Sequence, residues 1–162
     1  MRILGIDPGS RITGIGIIDG EKMIHAESLR LGGGPMPERL GQIYASLIRI
    51  IAEFRPDESA VETVFMNKNP QSALKLGQAR GAAICALVCG GVAVHEYAPR
   101  EIKQALVGRG GAGKEQVQHM TRVILKTKEN PGEDAFDALA VALCHHHTQQ
   151  TNARLPAGVV LR

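Results

Sequence analysis

Four acidic residues from three separate parts of the chain have the type and setting of metal ligands. Asp7 ends an apolar run near the N-terminus, Glu62 lies inside a second apolar run, and Asp134 and Asp137 stand at the start of a long helical pattern. A carboxylate in a buried strand is costly unless it is compensated, and four that converged would repel one another without cations. Carboxylate oxygens suit Mg²⁺, and a carboxylate-bound metal pair is a common device for cutting phosphodiesters.

Each acid also has a simpler interpretation. Asp7 precedes Pro-Gly, which favours a turn, or it could begin a phosphate loop like those of sugar kinases and actin-like ATPases. Glu62 could lie on a solvated edge, although the helical pattern that follows favours a central strand. Asp134 and Asp137 lie about 300° apart around a helix and so face nearly the same way. Favourable charge at a helix N-terminus would explain Asp134 better than Asp137.

The composition indicates an ordinary globular protein with 162 residues and a net charge of +3, which permits a nucleic-acid partner. The longest apolar stretch, 81–94, is too short for a membrane span and is broken by two glycines. Cys85 and Cys89 could share a metal or a disulfide on one helix face. Reduced thiols in a cytoplasmic protein are the favoured interpretation.

The elements that must position the acids follow from apolar periodicity. Strands are predicted at 3–7, 13–18, 22–31, 58–64 and 92–97, and helices at 40–54, 70–89, 99–107, 114–125 and 130–148. This order predicts an α/β fold with a five-stranded mixed sheet flanked by helices on both faces. We expect one domain over residues 1–149 and a flexible C-terminal tail over 150–162.

Several motifs together resemble those of the RuvC family, the bacterial crossover junction endodeoxyribonucleases. They are Ile6–Ser10, Val61–Met66, Ala73–Gly81, Gln116–Met120 and Asp134–Ala140, in consistent order over residues 1 to about 148. The resemblance implies a ribonuclease-H-like fold. It also implies that Asp7, Glu62, Asp134 and Asp137 are the catalytic metal ligands. Some members carry His at the position of Asp134, where this chain keeps Asp.

The resemblance further implies the activity and the partners. The family resolves four-way (Holliday) DNA junctions in recombination and repair by nicking two strands of like polarity, which leaves 5′-phosphate and 3′-hydroxyl ends. Two Mg²⁺ ions per site are expected, with Mn²⁺ as a substitute. A homodimer matches the two-fold symmetry of a junction, and the junction-processing proteins RuvA and RuvB are the expected partners. Small residues between Ala73 and Ala83 suit either close helix approach in a dimer or core packing.

Six residues are candidate DNA contacts. The resemblance implies that Phe65 stacks on an unpaired base and that Lys103 and Lys114 lie near the cleaved phosphate. Lys68, Lys75 and Arg80 would extend a basic surface along the following helix. Core packing for Phe65, and simple solvation for the charged residues, are the alternatives.

Two further patterns suggest other ligands. Residues 108–114 match Gly-x-x-x-x-Gly-Lys, but Glu115 replaces the metal-binding hydroxyl and no strand is predicted just before the loop, so ATP is disfavoured. The run His145–His147 invites a metal interpretation, but adjacent helical residues point in different directions. Other functions left open are ribosomal RNA processing, as proposed for the related YqgF family, and junction binding without cleavage.

Overall fold

The first three strands of the chain form an antiparallel meander. The computed structural model describes residues 1–63 and 69–154. The meander consists of β1 (Arg2–Asp7), β2 (Ile12–Asp19) and β3 (Lys22–Arg30). Gly20 turns the chain between β2 and β3 with a φ of 60°, a conformation that glycine adopts without steric cost.

Two more strands complete the sheet on the other side of β1. They are β4 (Glu58–Glu62), which pairs parallel to β1, and β5 (Ala93–Tyr97), which pairs parallel to β4. The strand order is β3-β2-β1-β4-β5, so β1 and β4 are both internal. The predicted five-stranded mixed sheet and the ribonuclease-H-like architecture are therefore confirmed.

Helices cover both faces of the sheet, as predicted. They are α1 (Met36–Phe54), α2 (Pro70–Cys89), α3 (Pro99–Val107), α4 (Lys114–Leu125) and α5 (Glu133–Arg154). Because side chains alternate along a strand, Leu4 and Ile6 of β1 pack in the core with α1 and α2. Ile3 packs on the opposite face with α3, α4 and α5.

Three strand glycines allow α5 to lie unusually close to the sheet. A Cβ at Gly5 would stand 2.1 Å from the carbonyl oxygen of Ala138, and one at Gly14 would stand 1.9 Å from that of Asp134. A Cβ at Gly16 would meet the Leu139 nitrogen at 2.7 Å. Any side chain at these positions would push the helix away, so the glycines set the height of α5 above β1 and β2.

Both ends of α5 differ from the sequence prediction. α5 begins at Glu133 rather than near Asn130, and it continues past the predicted end at Thr148 to Arg154. The Asn130 amide oxygen accepts a hydrogen bond from Arg122. The hydroxyl of Ser28, on β3, accepts instead from the Ala135 backbone N–H. The first turn of α5 is thus capped by a residue distant in sequence, which local spacing does not reveal.

The last predicted segment, 150–162, is only partly described. Its first residues, up to Arg154, belong to α5, and the remainder lies outside the described residues. Within residues 1–63 and 69–154, no helix is long and apolar enough to span a bilayer.

Candidate active site

Asp7 and Glu62 lie side by side at the carboxyl ends of two neighbouring parallel strands. Ile6 of β1 is in register with Val61 of β4, so the residues that end these strands are neighbours. Burial, followed by the negative charge of Glu62, raises the pKa of Asp7 to about 8. Burial also raises the pKa of Glu62. Both shifts mean that the pair resists carrying two negative charges.

Helix α5 brings the other two acids to the same place. The charge of Asp137 contributes to the raised pKa of both Asp7 and Glu62, and that of Asp134 contributes to the raised pKa of Asp7. The four acids predicted from three separate segments therefore converge around Asp7. Gly14, the β2 partner of Asp7, leaves the space that the backbone of Asp134 fills.

The two helical aspartates line different cavities. Asp137 and Glu62 line a cavity of about 260 Å³. Asp134 lines a second cavity with Ser28 and Arg30 of β3. Helical spacing alone predicted similar directions for the two side chains and did not distinguish these settings.

Basic and amide side chains of α4 bind Asp137. The Lys114 ammonium lies 2.9 Å from one carboxylate oxygen of Asp137 and 3.5 Å from Glu133. The Gln118 amide donates to the other oxygen of Asp137 at 3.2 Å. The bond to Asp137 raises the pKa of Lys114, which therefore stays protonated. Gln118 lay within a motif noted in the sequence, but its contact with an acid was not predicted.

The cavity combines acids, cations and an apolar wall. Its lining residues are Glu62, Pro99, Ile102, Lys103, Lys114, Val117, Asp137, Ala140 and Val141. The positive charges of Lys103 and Lys114 oppose the rise in the pKa of Glu62 that burial causes. Such a cavity can hold a phosphate group between cations and a carboxylate-bound metal.

The other predicted DNA contacts are placed differently. Phe65 and Lys68 lie outside the described residues, and Lys75 is exposed on α2. Arg80 forms an ion pair with Glu96 of β5 and donates to the backbone oxygen of Glu62. Arg80 thus links α2 to the end of β4, a structural contact that the sequence did not predict.

The glycine-rich loop does not have the setting of a P-loop. Helix α3, rather than a strand, precedes it, and Gly108 ends that helix with a φ of 76°. Lys114 begins α4 and reaches the carboxylates of Glu133 and Asp137. The sequence analysis predicted no strand just before this loop, and that prediction is confirmed. The loop leads instead to Lys114, which lies beside Glu133 and Asp137.

A second group of polar residues, missed from the sequence, lies on the same face of the sheet. Glu58 of β4, His95 of β5 and His145 of α5 have side-chain ligand atoms within 4.8 Å of one another. The His run was noted, but nothing in local spacing links His145 to Glu58 and His95. The glycines beneath α5 were the available signal, because alternating strand glycines mark a close helix approach.

Comparisons with known proteins agree over nearly the whole chain. The family model described as crossover junction endodeoxyribonuclease RuvC matches residues 3–145. The RuvC protein of Alkalilimnicola ehrlichii is 55% identical over 158 residues, which cover 95% of this chain and 96% of that relative. The solved structure of Thermus thermophilus RuvC has a TM-score of 0.85 and 38% identity, covering 93% of this chain and 96% of the other.

A second solved structure contains T. thermophilus RuvC in complex with a Holliday junction substrate. It has a TM-score of 0.84 and 37% identity, and it covers 93% of this chain and 96% of that chain. Sequence and structure therefore agree, and the chain belongs to the RuvC family of crossover junction endodeoxyribonucleases.

Proposed function

We propose that this protein resolves four-way DNA junctions by nicking two strands of like polarity in recombination and repair. Asp7, Glu62, Asp134 and Asp137 would hold the metal. The observation that best supports this proposal is that the four acids lie close to Asp7. Burial and the neighbouring negative charges raise the pKa of Asp7 to about 8. A site with this excess of negative charge favours a divalent cation, which relieves the repulsion.

Family membership implies a divalent metal, and the finer assignment is two Mg²⁺ ions, with Mn²⁺ as a substitute. The donor set fits, because all four candidate ligands offer carboxylate oxygens. When bound, the metal supplies Lewis-acid activation of the attacking water and of the leaving oxygen. The oxygen of water is added to phosphorus and the P–O3′ bond breaks, so the products carry a 5′-phosphate and a 3′-hydroxyl.

The chain itself would orient the groups around this reaction. Gln118 and Lys114 hold the two oxygens of Asp137, which fixes the direction of that carboxylate. Lys103 and Lys114 line the cavity beside Glu62, where their charges would attract the phosphate. Lys114 would transfer part of its interaction from Asp137 to the phosphate once cations neutralise the acids.

The wider DNA contacts remain predictions from the resemblance. Phe65 follows Glu62 closely in sequence, and we propose that it stacks on an unpaired base, an interaction worth roughly 1–3 kcal/mol. Lys68 and Lys75 would contact phosphates nearby. Arg80 would act indirectly, since its ion pair with Glu96 and its bond to Glu62 hold the strand that leads to Phe65.

A homodimer would place one active site on each of the two cut strands. The small residues of α2 divide between two roles. Ala79 and Ala83 are buried in the core, whereas added side chains at Gly77 and Gly81 would meet nothing within 4 Å. The glycine side of α2 thus remains available for close helix approach. RuvA and RuvB are the proposed assembly partners, and the cytoplasm, which contains the DNA, is the proposed location.

The test is incubation of the purified protein with a synthetic immobile junction, with and without Mg²⁺. We expect paired, symmetric nicks in Mg²⁺ whose ends a DNA ligase can reseal. Linear duplex and structured RNA serve as matched substrates. Preferential cutting of RNA would support a role in ribosomal RNA processing. Tight junction binding without nicks in either Mg²⁺ or Mn²⁺ would support a protein that binds junctions without cutting them.

A further inference from the structure

A cluster of ionisable side chains lies on the α5 side of the sheet, away from the acidic cavity. It consists of Glu58, His95 and His145 and is called here the histidine–glutamate cluster. His145 Nε2 lies 2.6 Å from Glu58 Oε2, and His95 Nε2 lies 3.3 Å from the same oxygen. The three residues come from β4, β5 and α5, so only the folded chain assembles them.

The spacing of these atoms suits a small divalent ion. All three ligand atoms lie within 4.8 Å of one another. Zinc ligands at about 2.0–2.1 Å in tetrahedral geometry stand roughly 3.3 Å apart. The distance from Glu58 to His95 already has this value. The shorter contact between Glu58 and His145 would need to open by less than about 1 Å. The Gln149 amide, which donates to Glu58 and lies 3.1 Å from His145 Nε2, would have to move aside.

The surroundings of His145 match those of a metal-bound imidazole. Its ring is 1% exposed, and its Nδ1 lies 2.7 Å from the Tyr97 hydroxyl oxygen. A hydrogen bond at one ring nitrogen fixes the ring and directs the other nitrogen at the ion. The ring of His95 stacks on that of His145 with centroids 4.2 Å apart and planes inclined by 28°, so the His95 ring would turn to direct its Nε2 lone pair at the same ion.

Access also favours a ligand role. The side chains of Glu58 and His95 are 27% and 41% exposed. An ion can therefore enter from solvent, and a water molecule can occupy a fourth position.

We propose that Glu58, His95 and His145 form a second metal site, selective for a divalent transition ion of the zinc class. Two imidazoles and one carboxylate suit Zn²⁺ and disfavour Mg²⁺, which prefers oxygen ligands alone. The acidic cavity, with its carboxylates, has the opposite preference. One chain would thus hold two kinds of metal in separate places.

A metal ion at this site would link the elements that carry the acidic residues. Glu58 and Glu62 lie four residues apart on β4, which corresponds to about 13 Å along a strand. Asp137 and His145 lie eight residues apart on α5, or about 12 Å along a helix. An ion at the histidine–glutamate cluster would join β4, β5 and α5 behind the cavity and stabilise their relative positions.

The test measures Zn²⁺ binding to the metal-stripped, full-length protein by calorimetry in excess Mg²⁺, with Co²⁺ absorption as a report on imidazole ligation. We expect one Zn²⁺ per chain and a higher melting temperature. His95→Phe keeps an aromatic ring at a half-exposed position, so it should fold, and it should weaken Zn²⁺ binding by about 100-fold or more. Glu58→Gln keeps a polar side chain of the same size and should have a similar effect.

Two control variants locate the ion. His146→Ala removes a neighbouring histidine whose ring bonds Gln150 instead, and it should bind Zn²⁺ like the wild type. Asp7→Asn alters the acidic cavity and should also leave this binding unchanged. The proposal is overturned if the wild type binds no Zn²⁺, if His95→Phe binds it equally well, or if Asp7→Asn abolishes the binding.

Discussion

The acidic cavity and the histidine–glutamate cluster share two elements and have opposite chemistry. β4 contributes Glu62 to the first and Glu58 to the second, while α5 contributes Asp137 and His145. The cavity gathers carboxylates beside lysines of α3 and α4, whereas the cluster joins imidazoles of β5 and α5 to one carboxylate. The comparison teaches that one strand and one helix can supply different chemical groups to two regions, depending on the position of each residue along the element.

The two regions also differ in how well hydrogen bonds and opposite charges stabilise their polar side chains without metal. Tyr97, His145 and Glu58 form a continuous hydrogen-bonded chain, so the cluster is stable as it stands. In the cavity, burial and like charges raise the pKa of Asp7 to about 8. We infer that the cavity requires cations for its ionised form, and that metal at the cluster adds stability to an arrangement that already exists.

Asp7→Asn is expected to have the most different effects on the two regions. This change removes a proposed metal ligand from the group of four acids and leaves the histidine–glutamate cluster intact. Cleavage of a synthetic junction should fall at least about 1,000-fold, equivalent to roughly 4 kcal/mol of transition-state stabilisation. Junction binding in a gel-shift assay should persist. Cleavage at the wild-type rate would show that Asp7 does not hold the metal.

Gly5→Ala should disturb both regions together. Its methyl group would meet the Ala138 carbonyl oxygen at 2.1 Å, which forces α5 away from the sheet. We expect a loss of about 3 kcal/mol in the free energy of unfolding, measured in urea, and lower activity and Zn²⁺ affinity in the folded fraction.

Gly41→Ala is the matched control for this substitution. It adds the same methyl group on α1, where nothing lies within 4 Å, and helix propensity predicts a gain of about 0.5–1 kcal/mol. Equal destabilisation by the two alanines would argue against the close approach of α5 as the cause.

The two regions should respond to pH in opposite directions in metal-free protein. Asp7 has a native pKa of about 8, well above its ordinary value of 3.8. The native state therefore holds more protons than the unfolded state between these values, and stability falls as pH rises through this range. We expect the melting temperature of the metal-free protein to fall as pH rises from about 4 to about 8.

Burial lowers the pKa of His145 below its ordinary value of 6.5. The unfolded state then holds more protons, so stability is lost as pH falls below 6.5. Unfolding curves of metal-free protein at several pH values test both signs. Asp7→Asn should remove the fall in stability between about pH 4 and pH 8, most visibly above pH 6.5, where the two contributions do not overlap. If stability still fell with rising pH above 6.5 in this variant, Asp7 would not be the cause of that fall.

The smallest effect is expected from Lys114→Ala, which sharpens the description of the cavity. The Lys114 ammonium is bound to Asp137 at 2.9 Å, but its side chain is 55% exposed. Stability should therefore change by less than about 0.5 kcal/mol. Cleavage should slow by about tenfold while less Mg²⁺ is needed for half-maximal rate, because Asp137 loses a competing cation. A higher Mg²⁺ requirement would contradict this competition.

The elements were largely predictable because they depend on local patterns. Alternating apolar residues, helical periodicity and turn residues predicted the strands and helices in the correct order. Errors arose where a distant residue decided the outcome. Ser28 supplies the hydrogen bond at the start of α5, and Glu96 pairs with Arg80. Neither contact has a signature in local spacing.

By itself, the sequence determined which residues could do chemistry: acids in apolar segments are too costly to be accidental. The tertiary structure alone decided which of them meet. Asp134 and Asp137 look equivalent on a helix, yet they face different cavities, and His145 finds its partners on β4 and β5 rather than in its own histidine run. The physical reason is that side-chain spacing is local, whereas contacts between elements depend on how closely α5 lies upon the sheet, which the strand glycines allow.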